Sequence, residues 1–214
     1  MVLLLLACHS PPPPFLAVEP PAGFTHHGID VSVYQGAIDW PAVAASGEVQ
    51  FVFAKATEGA NHVDRRFARN WRGARDSGLP IGAYHYFSAC RTGAEQAAHF
   101  LATVPDDDAL PAVLDVERDA RCNRGERFTD ALAEVEVWLD LVEQDRGVRP
   151  VLYANDHTMR GSLAHIDADR WVAAYSRAPR TDWLLWQHTD RGRIPGIAGP
   201  VDRNVLHGDA PLPW

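Results

Sequence analysis

The chain of 214 residues has little of several things: three cysteines, two methionines, one lysine (Lys55), and no long apolar run. A membrane-spanning helix needs about 20 consecutive apolar residues, and the longest candidate, residues 2–7, falls far short. Positive charge is also scarce, since 20 basic side chains face 28 acidic ones and the formal charge is −8. That sign excludes a phosphate backbone as the main partner, so no nucleic-acid role is expected. The ten histidines are scattered, and neither a CxxC nor an HExxH occurs, so the usual spacings of a zinc site are missing. What remains is ordinary: 46% hydrophobic, 22% charged. This composition does not fit a disordered chain, a collagen-like fibre or a coiled coil, and the length suits one domain with a core rather than two enzymatic domains.

The N-terminus is set apart by composition. Residues 2–7 end in Leu5-Leu6-Ala7-Cys8, which resembles the lipobox of bacterial lipoproteins, where the cysteine is acylated. Pro11 to Pro14 and then Pro20 and Pro21 follow, a semi-rigid spacer. The expected organisation is a signal-like segment over 1–8 with lipidation at Cys8, a proline-rich linker over 9–26 and a catalytic barrel over 27–214. An exported protein, periplasmic or at the cell surface and tethered to the membrane, follows from that reading; a mis-assigned start codon or a chance apolar N-terminus is the alternative. Cys90 and Cys122 remain, a disulfide in an oxidising compartment or free thiols in a reducing one.

From residue 27 onward, short apolar runs alternate with stretches of helical periodicity. Strands are expected at 28–32, 50–57, 79–87, 111–117, 150–154, 171–175, 183–187 and 199–203, with apolar residues at adjacent as well as alternate positions, as in buried parallel strands. Asp39 and Pro41 open one short helix. Phe67, Trp71 and Ala74 lie on one face of a second, which ends near Gly78. Thr92 and Glu95 form a capping box for a third, through about Thr103. The longest helix is expected over 126–146 with Gly147 as its stop, and little helix follows. Eight strands with helices mainly after the early ones predict an α/β fold, a single irregular TIM-like (β/α) barrel with a degenerate second half.

Such barrels keep their chemistry at the C-terminal ends of the strands. Asp30, Glu58, Asp115, Glu117 and Asp202 all fall at or just past predicted strand ends. Asp115 and Glu117 are one residue apart on one strand, so both face the barrel mouth, with Cα atoms about 6–7 Å apart. Crowded carboxylates repel and hold protons near neutral pH, which suits a general acid, and paired carboxyl groups are how glycosidases cleave their bonds. A divalent-cation site is the rival chemistry for clustered acids. The aromatics Tyr34, Trp40, Tyr84, Tyr86, Tyr153, Tyr175 and Trp186 share these strand ends. Tyr84, Tyr153 and Trp186 are the candidates to stack on sugar rings, whereas Trp71 and Trp138 are assigned to packing.

Gly28-Ile29-Asp30-Val31-Ser32, Gln35-Gly36 and Ile38-Asp39-Trp40 resemble the opening of glycoside hydrolase family 25, the lysozymes of bacterial and phage origin. The similarity continues through Phe51 to Gly59, Gly82 to Phe87, Leu114 to Glu117, Leu152-Tyr153 and Trp186-Gln187, and closes with Val201 to Asn204. The resemblance implies hydrolysis of the β-1,4 bond between N-acetylmuramic acid and N-acetylglucosamine in peptidoglycan, with no metal or organic cofactor; a monomer is expected. It implies that Glu117 is the general acid and that Asp115 assists the substrate's 2-acetamido group in a retaining route through an oxazoline; an inverting route is the alternative. Asp30 and Asp202 match the family's other two active-site acids, and Tyr84, Tyr153, Trp186, Glu58 and Gln187 are the expected substrate-binding residues.

If the barrel is right, Cys90 and Cys122 lie on neighbouring loops of the active-site face, and a disulfide between them is predicted. The loop around Arg118, Arg121 and Arg124 is a departure from the family pattern; its arginines either meet substrate carboxylates or are solvated surface. Two rivals remain. One is a chitinase-like N-acetylhexosaminidase, which would carry a longer DxxDxDxE pattern than residues 111–117 offer. The other is a non-catalytic peptidoglycan-binding lipoprotein.

Overall fold

The computed structural model describes residues 21–107, 110–118 and 122–208. Cys8 and most of the linker lie outside these residues, so the expected lipidation has no structural counterpart here. Among the described residues no helix is long and apolar enough to cross a membrane.

Eight strands close into a barrel: β1 (His27–Val31), β2 (Phe51–Glu58), β4 (Ile81–Tyr86), β5 (Val113–Asp115), β6 (Val151–Asn155), β7 (Arg170–Ala173), β8 (Leu185–Gly192) and β9 (Val201–Leu206). Pairing is parallel from β1 through β8. The last strand breaks the rule, because β9 runs antiparallel to both β8 and β1 and closes the ring between them. The expected barrel is therefore present, and its helix-poor second half closes by a hairpin rather than by another βα unit. A ninth strand, β3 (His62–Val63), folds back on Thr57 and Glu58 after a turn at Gly59. Two exposed residues carry no periodicity, so nothing in the sequence announces β3.

Helices α1 (Trp40–Ala45), α2 (Phe67–Asp76) and α3 (Gly93–Thr103) form where expected, with Asp39 and Thr92 accepting from the backbone N–H groups of Ala42 and Glu95 as caps. The long helix expected over 126–146 is instead two. Helices α4 (Gly125–Asp130) and α5 (Leu132–Arg146) meet at Ala131, whose ψ of 1° departs from helical geometry and lets Phe128 and Val135 both be buried. Gly147 stops α5 in a left-handed conformation, φ 74°. A short helix α6 (Asp156–Arg160) follows β6.

The period-two alternation of each strand sorts its side chains between two cores. Outward residues such as Val52, Ala54, Leu114 and Leu152 pack with Trp71, Phe100, Trp138 and Leu139 beneath the helices. Inward residues Phe51, Phe53, Val113, Val151, Trp171, Leu185 and Leu206 fill the barrel. Room for those rings is made by Gly28 and Gly82, where an added Cβ would lie 2.1 Å from the Phe51 ring and 2.5 Å from the Phe53 ring. A filled lower barrel leaves only the upper end open.

One buried polar group ties the wall together. Gln96 Nε2 donates to the carbonyls of Ser88, Arg91 and Thr92, which turns its Oε1 toward His85. His85 Nε2–H donates to that oxygen at 3.2 Å, so Nδ1 accepts from the Thr57 hydroxyl at 2.7 Å. Burial against Trp138 and Phe100 lowers the His85 pKa to about 3, so the ring is neutral.

Candidate active site

Above the filled core lies a cleft of about 300 Å³, whose lining includes Asp30, Asp115, Glu117 and Asp202. Each acid arrives by strand parity. Asp30 follows Gly28 on the inner face of β1, and Asp115 and Glu117 follow Val113 on and just past β5. Asp202 arrives differently from the expectation. It lies at the start of β9, not at a strand's C-terminal end, and it reaches the mouth because β9 is antiparallel, which sets it directly opposite Asp30.

The acids form two pairs. In the first, Asp30 Oδ2 accepts from Gln187 Nε2 at 3.0 Å and from Asn204 Nδ2 at 2.8 Å, and the carboxyl also shares a hydrogen bond with Asp202. Burial pushes Asp30 up to about 6 against the pull of those donors, and burial together with the Asp30 charge pushes Asp202 up to about 9. In the second pair, burial and then the Glu117 charge raise Asp115 well above the usual carboxylate range, with Lys55 pulling the other way. Asp115 Oδ1 is buried and meets no hydrogen-bond partner among the described residues. A buried acceptor without a partner is costly, and at the floor of an open cleft it is a place where a ligand's N–H would be stabilised.

Of the other expected site residues, Tyr84, Tyr153 and Gln187 line the cleft. Tyr153 and Tyr175 donate to Gln187 Oε1 at 2.9 and 2.7 Å. Tyr34, 88% exposed, and Tyr175, 52% exposed, stand at the rim where flat rings are open to solvent. Two of the expected residues lie outside the lining. Trp186 is absent from the lining, because it neighbours inward Gln187 on β8 and so points outward, where it packs on Phe24 and Trp183 and donates to the Ala174 carbonyl. Glu58 is also absent from the lining; it pairs with Lys55 at 2.7 Å, and Lys55, lying 4.7 Å from the Tyr86 ring centre, is the side chain that reaches the cleft. Lys55, Trp171 and Asn204 were missed as site residues, and Tyr86 was placed at a strand end without being singled out. Their signal was parity, each being two residues from an inward neighbour or facing one in register.

Cys90 and Cys122 are bonded, with Cα atoms 5.4 Å apart, and join the loops after β4 and β5 beside the acids. Arg118 lies over the Phe128 ring at 5.0 Å; Arg121 is outside the described residues.

Comparison with known proteins agrees with this geometry. Residues 29–197 match the family model of glycosyl hydrolases family 25. The uncharacterized protein YegX of Escherichia coli (strain K12) is 44% identical over 204 residues, covering 90% of this chain and 73% of its own. Lysozyme M1 of Streptomyces globisporus is 32% identical over 206 residues, covering 86% of this chain and 68% of its own. A solved family 25 glycosyl hydrolase from Bacillus anthracis superposes with a TM-score of 0.81 at 32% identity, over 89% of this chain and 93% of that one. A match in sequence and in fold across most of the chain places this protein in glycosyl hydrolases family 25, as a glycoside hydrolase.

Proposed function

We propose that the enzyme is a muramidase that cleaves the β-1,4 bond between N-acetylmuramic acid and N-acetylglucosamine, with Glu117 as general acid and Asp115 as the partner of the acetamido group. The observation that carries the assignment of roles is the unpartnered, buried Asp115 Oδ1 beside Glu117. Two carboxyl groups one residue apart share their proton, and which one holds it depends on what binds. An acetamido N–H donated to Asp115 Oδ1 favours the ionised Asp115 and leaves the proton on Glu117.

Glu117 then gives that proton to the glycosidic oxygen as the C1–O bond breaks. The acetamido carbonyl oxygen bonds to C1 from the opposite face, forming an oxazolinium whose positive N–H is held by ionised Asp115. Water opens the ring, its proton passing to Glu117, and configuration is retained. This substrate-assisted course falls outside the usual separation rule for two carboxylates. Rim tyrosines Tyr34 and Tyr175 offer faces for neighbouring sugars.

A tethered, exported enzyme acting on the cell wall fits the lipobox-like Cys8 and the proline-rich spacer. At −8 the protein gains little general attraction to an anionic wall, and a tether would make it unnecessary.

One assay decides. Purified enzyme is incubated with peptidoglycan and with chitin, and the released ends are analysed. New reducing N-acetylmuramic acid ends support the proposal. Release from chitin alone would establish the N-acetylhexosaminidase rival, and no release from either would leave the binding lipoprotein.

A further inference from the structure

We propose that Asp30 is the resident anion of the cleft and Asp202 its neutral, proton-bearing partner, an order imposed by Trp171 through Asn204 and by Tyr153 and Tyr175 through Gln187. An indole N–H can only donate. Trp171 Nε1 lies 2.9 Å from Asn204 Oδ1, so that oxygen accepts, and the amide nitrogen is thereby turned to Asp30 Oδ2 at 2.8 Å. Gln187 is oriented in the same sense: its Oε1 accepts from two phenols, and its Nε2 faces the same Asp30 oxygen at 3.0 Å. Two N–H groups therefore converge on Oδ2, which leaves no room for a proton there. The hydrogen bond between Asp30 and Asp202 still needs one proton, since two carboxylates have none to share. Asp202 supplies it.

The surroundings agree. Asp190 on β8 and Glu117 after β5 face Asp202, and a second negative charge there would be repelled by both. Asp115 on β5, Tyr84 on β4, Tyr153 on β6 and Tyr175 after β7 also face the pair, while Lys55 on β2 is engaged with Glu58 and the Asp115 side. Asn204, Gln187 and Trp171 are thus positioning residues: they aim a fixed negative charge at the cleft without touching the reacting atoms. A fixed, already oriented charge beneath the sugar stabilises positive charge developing at C1 or on the acetamido group without reorganising during the reaction.

The proposal deepens the muramidase reading, but its test does not depend on turnover. In protein carrying ¹³C-carboxyl aspartate, with signals assigned through Asp30→Asn and Asp202→Asn, Asp202 is expected to resonate as a carboxylic acid at pH 7 and Asp30 as a carboxylate. Asn204→Leu is expected to raise the Asp30 midpoint by about one pH unit, the worth of one hydrogen bond to a charged group. Trp171→Phe, a gentler change, is expected to move it less in the same direction. On peptidoglycan, Asp202→Asn keeps a neutral donor and should retain at least tenfold more kcat than Asp30→Asn. An Asp202 that ionises in the ordinary carboxylate range, or an Asp30 midpoint unmoved in both Asn204→Leu and Trp171→Phe, overturns the proposal. Inactivity of the wild-type enzyme with this titration pattern intact would instead count against the muramidase reading alone.

Discussion

The two carboxyl pairs of the cleft are built from the same chemistry and finished in opposite ways. Asp30 and Asp202 sit in register on adjacent strands, and two amides converge on Asp30, each oriented by an aromatic N–H or O–H group. Asp115 ends β5 and Glu117 lies two residues beyond it, and Asp115 keeps a buried oxygen for which the described residues provide no donor. The first pair is complete without substrate. The second waits for one. A site that must both hold a constant field and pass a proton gains from that division, because fixed donors bias a carboxyl toward one protonation state while an open one responds to what binds.

The largest effect is expected at the open pair. Glu117→Gln should lower turnover of peptidoglycan by roughly three or more orders of magnitude, as removal of a general acid in a preorganised site does; near-normal release of reducing ends would show that the open pair is not the reacting one. Next comes the disulfide, which anchors the loops beside the open pair. Replacing Cys90 and Cys122 by serine reopens a closure spanning 32 residues and should cost about 3–4 kcal/mol. On a domain of this size that is a fall in Tm of about 6–16 °C, readable by calorimetry, while the Asp30 titration should stay as it was.

The wired pair should show itself in the pH dependence of stability. A carboxyl whose folded pKa is raised keeps a proton that the unfolded chain has lost, so its contribution is full below the unfolded value and disappears as pH rises through the folded one. For Asp202 the window runs from about 4 to about 9, with a loss of up to about 1.4 kcal/mol per pH unit from this group. Asp202→Asn should flatten that fall in denaturant titrations between pH 6 and 9; an unchanged slope would mean that Asp202 is already ionised at neutral pH. The smallest effect is expected outside both pairs. Trp186→Phe removes a side chain packed on Phe24 and Trp183, so KM for peptidoglycan should stay within about threefold, and a tenfold rise would return Trp186 to the sugar-binding surface.

Much of this was legible in the chain. Alternation of strand and helix, the Asp39 and Thr92 caps, the Gly147 stop and the inward facing of both Asp115 and Glu117 follow from local periodicity, which a single segment carries whole. Where the reading failed, the deciding partner was remote or the segment was too short. The break at Ala131 lies within a continuous helical pattern and exists so that Phe128 and the α5 face can both be buried. Trp186 looked like a sugar platform because a strand end says that a ring is near the mouth, and only its parity relative to Gln187 says which side of the wall it occupies. Glu58 was placed near the site correctly as to strand, yet its contact is with Lys55 rather than with the cleft.

The sequence by itself determined that acids would gather at one end of a β/α barrel, because side chains two residues apart on a strand share a face whatever the strand pairs with. Only the tertiary structure decided that β9 would enter the ring antiparallel, bringing Asp202 to the mouth from the start of its strand and against Asp30. Strand direction and neighbour order are set by closure of the whole ring, a property no local pattern contains. The order of charge within that pair follows from the same closure, since Trp171, Gln187 and Asn204 come from three different strands and converge on Asp30 only once the barrel is shut.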